Sequence, residues 1–350
     1  MRQLGDIGFL SSFIAKLKPK SCDLVRYMKS NPVWDPMLVY DGQRWFMYVL
    51  STPKQPQQNN FFTEDNFIQG FVSTNLSHWK GIGTVLPSGF FGKRLCGGSL
   101  LFEEGTYYFF GSATMEQLSA EMLDQRLFLA TSNNGVRFNI EEGFSLEPNE
   151  EWYGTRVHHP QSGEMFFAWR DPYIFRDPIS GNYYLFICSG GERWGVPPKI
   201  AVAVSGSVRG PYALQTPAAV SYGEVDAGVE GVPVWEMERV QVTYHKGRYR
   251  MLFSVWGWLI DEKWKAKIEA KCGSIGRSVT FMLSSDKVDG PYRFDEGVQL
   301  VWSRNQNNMY GLMLVDTSDK FDQPPVAGWV PGLFQAQLAP LDSYEFIKIN

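Results

Sequence analysis

The chain is short of the residue types that announce the commonest chemistries. Its 350 residues include only four cysteines and four histidines. Cys22, Cys96, Cys188 and Cys272 lie far apart, without the close spacing of a zinc or redox site, so reduced structural thiols are expected. His158-His159 fall in a polar stretch with Pro160 and Gly163 and read as a solvated loop, not a metal site. Neither sign of charge dominates. The net charge is −4 with both signs interspersed, so the basic footprint of a nucleic-acid binder is missing. No apolar run approaches the roughly 20 residues of a membrane-spanning helix. The segment Met1–Lys20 lacks the basic start, long apolar core and small-residue cleavage site of an export signal. The expectation is a cytoplasmic protein that binds neither nucleic acid nor membrane; its oligomeric state stays open.

What the chain has in quantity is aromatic residues, 15% of the total, within a hydrophobic fraction of 44%. They recur in a pattern. Four strand-like segments, beginning at Arg44, Thr106, Asn182 and Arg248, each follow an apolar run and a turn. Their starts are 62, 76 and 66 residues apart (106−44, 182−106, 248−182). Each is followed by another strand candidate ending in small polar residues: Phe67–Thr74, Arg126–Ser132, Lys199–Ser205 and Val279–Ser285. A short further segment comes next, at His78-Trp79, Val136–Phe138, Gly210-Pro211-Tyr212 and Gly290-Pro291-Tyr292. Residues Met309–Asp316 and Gly328–Ala339 supply a degenerate fifth copy. Four strands per unit at this period predict an all-β fold, a five-bladed β-propeller with four-stranded antiparallel blades. Residues 31–350 would form that single domain, with residues 1–30 packing on it as an extension. Met115–Asp124 and the charged stretch Asp261–Lys271 read as helical excursions.

Three acids stand at the head of three of these strand pairs: Asp35 in Val33-Trp34-Asp35-Pro36, Asp171 in Trp169-Arg170-Asp171-Pro172, and Glu238 in Trp235-Glu236-Met237-Glu238-Arg239. They precede Arg44, Asn182 and Arg248 by 9, 11 and 10 residues, which assigns them one place in the repeat. The innermost strand of each blade lines the axis, so the three carboxyl groups are expected to converge at one end of the channel. Cleaving a glycosidic bond needs one carboxylate to attack or to activate water, and one carboxylic acid to protonate the leaving oxygen. Asp-Pro pairs also open ordinary turns, as Asp177-Pro178 is expected to do. The joint occurrence of three acids favours the catalytic reading.

These motifs resemble those of the levansucrases and invertases, glycoside hydrolase families 68 and 32. Val33-Trp34-Asp35 is similar to the levansucrase nucleophile segment, Arg170-Asp171-Pro172 to the Arg-Asp-Pro motif of both families, and Glu236-Met237-Glu238-Arg239 to the levansucrase Asp-Glu-Ile-Glu-Arg motif. The resemblance implies a five-bladed propeller and a retaining β-fructosidase or fructosyltransferase acting on sucrose or a related fructoside. It implies Asp35 as nucleophile, Asp171 as transition-state stabiliser and Glu238 as acid/base, with Trp34, Arg170 and Glu236 lining the sugar site. Ser99, Arg239 and Trp256 complete the expected substrate-binding set.

Three departures stand out. Cys96-Gly97-Gly98-Ser99 replaces the family's aromatic-Ser-Gly-Ser segment. Ser254-Val255-Trp256-Gly257 stands where levansucrases carry an arginine. Trp235 replaces an aspartate that binds calcium in many members, so no metal and no cofactor is expected. Six tryptophans flank the acid motifs or follow the blade strands (Trp34, Trp169, Trp194, Trp235, Trp256 and Trp258) and offer either packing between blades or an aromatic cup. Two other readings therefore stay open: an inverting arabinosidase or xylosidase, and a propeller recruited to another small molecule.

Overall fold

The computed structural model describes residues 23–52, 66–119, 122–149, 152–153, 156–158, 165–190, 198–221, 234–295, 298–303, 309–315, 326–330, 335–339 and 344–349. Helix α1 (Asp23–Met28) is followed by a sheet of β1 (Val33–Tyr40), β2 (Trp45–Ser51), β3 (Phe67–Ser73) and β4 (Lys80–Leu86). The second sheet holds β5 (Arg94–Glu103), β6 (Thr106–Ser119), β7 (Met122–Ser132) and β8 (Asn139–Ile140). A separate pair, β9 (Arg156–His158) and β10 (Met165–Phe167), precedes the third sheet. That sheet contains β11 (Trp169–Arg176), β12 (Tyr183–Ser189), β13 (Lys199–Ser205), β14 (Ala213–Leu214) and β15 (Ala219–Val220). The fourth sheet has β16 (Glu238–His245), β17 (Arg248–Trp256), β18 (Ser278–Ser285) and β19 (Val298–Ser303), with helix α2 (Glu262–Cys272) between β17 and β18. A three-stranded sheet follows, β20 (Tyr310–Leu314), β21 (Val326–Val330) and β22 (Gln335–Ala339). The last strand, β23 (Tyr344–Ile349), returns to pair with β19 at the outer edge of the fourth sheet. The architecture is an all-β propeller with four-stranded antiparallel blades.

Successive residues of a strand face opposite sides of its sheet, and here both sides are buried. In β2, Phe46, Tyr48 and Leu50 pack toward the second sheet, whereas Trp45, Met47 and Val49 pack with Met313 and Ala327 of the three-stranded sheet. In β6, Tyr107 and Phe109 face the first sheet, whereas Tyr108 and Phe110 join the core shared with the third. In β12, Tyr183, Leu185 and Ile187 face the second sheet, and Tyr184 and Phe186 the fourth. Leu252 and Val301 of the fourth sheet meet Leu312 and Val326 of the three-stranded sheet. Burial on both faces explains why these strands read as unbroken aromatic runs, not as alternation. It also explains the small polar residues that end each third strand. Ser73, Ser132, Ser205 and Ser285 each accept, at Oγ, the backbone N–H two residues on, at 3.2, 3.2, 3.1 and 3.1 Å. The same local turn thus closes the third strand in four sheets.

Five expectations can be set beside this architecture. Met115–Asp124 is not helical: β6 and β7 run through it as a prolonged hairpin, pairing Gln117 with Leu123 and Ser119 with Met122. The ladder that starts at Tyr107 and Ser132 satisfies these backbone groups across the strands and overrides local helix propensity. Asp261–Lys271 does form a helix, α2, capped by Asp261, whose carboxylate accepts Lys263 N at 3.0 Å and Trp264 N at 3.3 Å. His158 lies in β9, paired with Met165, not in a loop. No disulfide joins Cys96, Cys188 and Cys272 among the described residues, and Cys22 lies outside them. Of the segment 1–30, residues 23–30 are described; Leu24 of α1 packs on Trp45, Phe71 and Trp79 of the first sheet.

Candidate active site

The site begins with a backbone irregularity used five times. In each innermost strand two residues stand opposite one on the neighbouring strand, a β-bulge. The break falls between Trp34 and Met37 in β1, Leu95 and Gly98 in β5, Arg170 and Tyr173 in β11, Glu238 and Gln241 in β16, and Tyr310 and Met313 in β20. The first bulged residue is therefore Asp35, Cys96, Asp171, Arg239 or Gly311. Four of these have left-handed backbone, with φ of 48° at Asp35, 54° at Asp171, 53° at Arg239 and 59° at Gly311. This conformation costs a non-glycine residue about 1–2 kcal/mol, and such strain collects where a side chain must be aimed at a site.

The register corrects one expectation. Asp35 and Asp171 do occupy one place in the repeat, but the matching residue of the fourth sheet is Arg239. Glu238 stands one residue earlier, level with Trp34, Arg170 and Tyr310. Counting back from the aromatic strands could not reveal this, because the hairpins differ in length: residues 41–44, 177–182 and 246–247 lie between the last paired residues.

The three acids nonetheless come together. Asp35, Asp171 and Glu238 line one cleft with Trp34, Arg239, Trp256, Tyr310 and Trp329. Arg239 is buried, with Nη1 donating to Gly98 O and Nη2 to Pro36 O, both at 3.2 Å, and Nε 3.7 Å from Asp35 Oδ1. Gly97 makes room for it. A Cβ there would sit 2.6 Å from Asp171 Oδ1 and closer still to Arg239 Nη1. Asp35 is held from the other side by Trp329, whose Nε1–H donates to Oδ1 at 3.0 Å. Arg170 bridges the remaining acids, donating through Nη2 to Glu238 Oε1 at 2.6 Å and to Glu236 Oε1, while Nη1 reaches Gln125 Oε1 at 3.4 Å.

One guanidinium shared by two buried carboxyl groups leaves one negative charge uncompensated, and a proton can take its place. Burial, with the charge of Glu236 adding to it and Arg170 opposing, pushes Glu238 up to about 8. Burial also raises Asp35, but Arg239 and the Trp329 N–H restrain the rise to about 6 against the added charge of Asp171. At neutral pH Asp35 is thus the carboxylate and Glu238 the carboxylic acid of this pair.

The other expected binding residues fall into two groups. Trp34, Arg239 and Trp256 line the cleft. Arg170 and Glu236 support Glu238 through the ion pairs described above. Ser99 is turned away from the expected binding role: its Oγ donates to Pro172 O and accepts Ile174 N, both at 2.8 Å, and so braces the Asp171 bulge. Among the other tryptophans, Trp169 is fully buried and donates to Leu146 O, Trp235 packs on the core between the third and fourth sheets, and Trp258 is exposed. Trp194 is outside the described residues. Tyr310, Trp329 and Gln125 join the site without belonging to any of the acid motifs. Tyr310 and Trp329 carry a legible signal: they stand in the degenerate fifth copy, where the strand-pair template places Tyr310 level with Trp34.

The fold is that of a levansucrase-like propeller. The chain superimposes on an inulosucrase from Halalkalicoccus jeotgali bound to kestose, with a TM-score of 0.61 and 20% identity over 86% of this chain and 76% of that one. A Bacillus subtilis levansucrase in complex with oligosaccharides gives a TM-score of 0.64 at 13% identity, over 95% and 87%. A levansucrase from B. megaterium gives 0.62 at 13%, over 91% and 83%. No family model and no curated protein sequence matches the chain. At such identities the likeness establishes the fold.

Proposed function

We propose that this chain is a retaining glycosidase or fructosyltransferase acting on sucrose or a related β-fructoside. The proposal includes a five-bladed propeller over residues 31–350, with the three-stranded sheet as its fifth blade and residues 1–30 as an extension. The observation that carries the reading is the pairing of Asp35 and Glu238 in one cleft with their ionisations pushed apart, to about 6 and about 8. Two carboxyl groups so separated are the equipment of acid-assisted glycoside cleavage. Similar structures solved with kestose, with oligosaccharides and with sucrose support the substrate class.

In the proposed reaction Asp35 attacks the anomeric carbon as the bond to the leaving oxygen breaks. Glu238 gives that oxygen its proton, so the leaving group departs as a neutral alcohol and a fructosyl ester remains on Asp35. Glu238, now ionised beside Arg170, takes a proton from water or an acceptor alcohol, whose oxygen displaces Asp35 and restores both carboxyl groups. Asp171 stabilises positive charge on the flattened ring. Trp329 holds Asp35 in place and takes over the support that a serine gives in levansucrases, where this chain has Gly97. The test is incubation with sucrose and detection of glucose, repeated with Asp35→Ala. Methanolysis then reads the stereochemistry, and a methyl β-fructoside is the expected product. Absence of glucose from the wild-type incubation, or an α-product, would refute the reading.

A further inference from the structure

We infer that the leaving-group side of this cleft is built for an aromatic ring, so that the preferred donors are aryl β-fructosides and the preferred acceptors aryl alcohols. The inference rests on the reading above and refines its substrate class. Once the reacting carbon is set between Asp35 and Glu238, the group beyond the scissile oxygen must meet the rest of the lining, which is Asp171, Arg239 and the four aromatics Trp34, Trp256, Tyr310 and Trp329. Trp256 stacks on Tyr310 with ring centroids 4.4 Å apart and 27° between planes. Trp329 meets both edge-on, at 6.0 Å from Trp256 and 5.7 Å from Tyr310. Trp34, Tyr310 and Trp329 are buried, whereas Trp256 is half-buried and keeps surface for another ring.

A hexose leaving group brings several hydroxyls, each needing a partner once water is displaced. The polar groups of the lining are largely committed. Arg239 is held by Pro36 O, Gly98 O and Asp35, Trp329 N–H by Asp35, and Glu238 by Arg170. The remaining acid of the lining is Asp171, which the reading above assigns to the flattened ring and not to the leaving group. The exposed part of the Trp256 ring therefore suits a flat ring that brings few hydroxyls. In the cleavage, the bond from the anomeric carbon to the aryl oxygen breaks, Glu238 supplies the proton that makes the free phenol, and the fructosyl group passes to Asp35.

The experiment compares phenyl and methyl β-D-fructofuranoside binding by calorimetry to Glu238→Gln, which holds the carboxyl side in place without its proton. The phenyl compound should bind about tenfold tighter. In Glu238→Gln/Trp256→Leu, which keeps an apolar side chain but removes the ring, the ratio should fall below about threefold. Thermal melts of both proteins confirm that they are folded. Equal affinities in Glu238→Gln, or an unchanged ratio after Trp256→Leu, would overturn the aromatic subsite while wild-type cleavage of either fructoside left the broader reading standing. If the folded wild type neither binds nor cleaves any fructoside, the broader reading fails and this inference fails with it.

Discussion

The two arcs of the cleft use one backbone device for opposite ends. On one side, the bulges of the third and fourth sheets present Arg170, Asp171, Glu238 and Arg239. On the other, the bulges of the first and three-stranded sheets present Trp34 and Tyr310, with Trp256 and Trp329 beside them. Asp35 sits between the arcs, paired with Arg239 of the first and Trp329 of the second. The scaffold thus fixes where side chains arrive at the axis and leaves their chemistry to each sheet separately. A charged arc can stay intact while the aromatic arc is rebuilt, and Gly97 leaves the space in which Asp171 and Arg239 of the charged arc sit.

Substitutions at the junction should separate the arcs most sharply. Asp35→Asn is expected to lower turnover by about 10⁴-fold or more while leaving fructoside binding measurable, as loss of a nucleophile does; single-turnover assays alongside calorimetry check both halves. Glu238→Gln should cost about 10²–10⁴-fold on sucrose and much less on an activated aryl fructoside that leaves without protonation. Equal losses on the two donors would remove Glu238 from the acid role. In the wild type, kcat/KM should be bell-shaped, falling below about pH 6 as Asp35 takes up a proton and above about pH 8 as Glu238 loses one. Trp329→Phe keeps the aromatic arc but deletes the N–H that favours ionised Asp35. It should lower activity by roughly tenfold, the weight of about one hydrogen bond, and move the acidic limb upward. A pH profile whose acidic limb stays in place would divorce Trp329 from Asp35.

The smallest effect concerns stability. The pKa of Glu238 in the folded chain, about 8, lies above the ordinary value of 4.5, so its favourable contribution is complete below about pH 4.5 and lost as pH rises to about 8. Glu238→Gln should therefore melt higher than wild type at pH 9 and show no such advantage at pH 4. Thermal melts across that range provide the check.

The strands and the convergence of the acids were legible because buried aromatic runs and repeated turns leave strong marks. The Lys199–Ser205 strand has the same limits in sequence and structure. The placement of Arg239 was hidden, since a bulge adds one residue without any compositional sign. Ser99 was misread because a hydroxyl that braces backbone looks, in sequence, like one that awaits a sugar. Gln125 was obscured differently: the neighbouring Met115–Asp124 favours helix locally, and only pairing across the sheet makes it a hairpin. Trp329 lay in the weakest copy of the repeat, where few neighbours confirm the pattern.

The seam between β19 and β23 bears on how the protein is made. The sheet that begins with Glu238 has its outer edge supplied by residues 344–349, about a hundred positions downstream (344−238 = 106). A growing polypeptide can pair β16 to β19 as they emerge, but the outer edge of the sheet carrying the proposed proton donor stays open until the stretch 344–349 has followed. Removing that stretch should leave early-made regions resistant to protease while exposing the 238–303 region, a footprint that limited proteolysis and mass spectrometry would read directly.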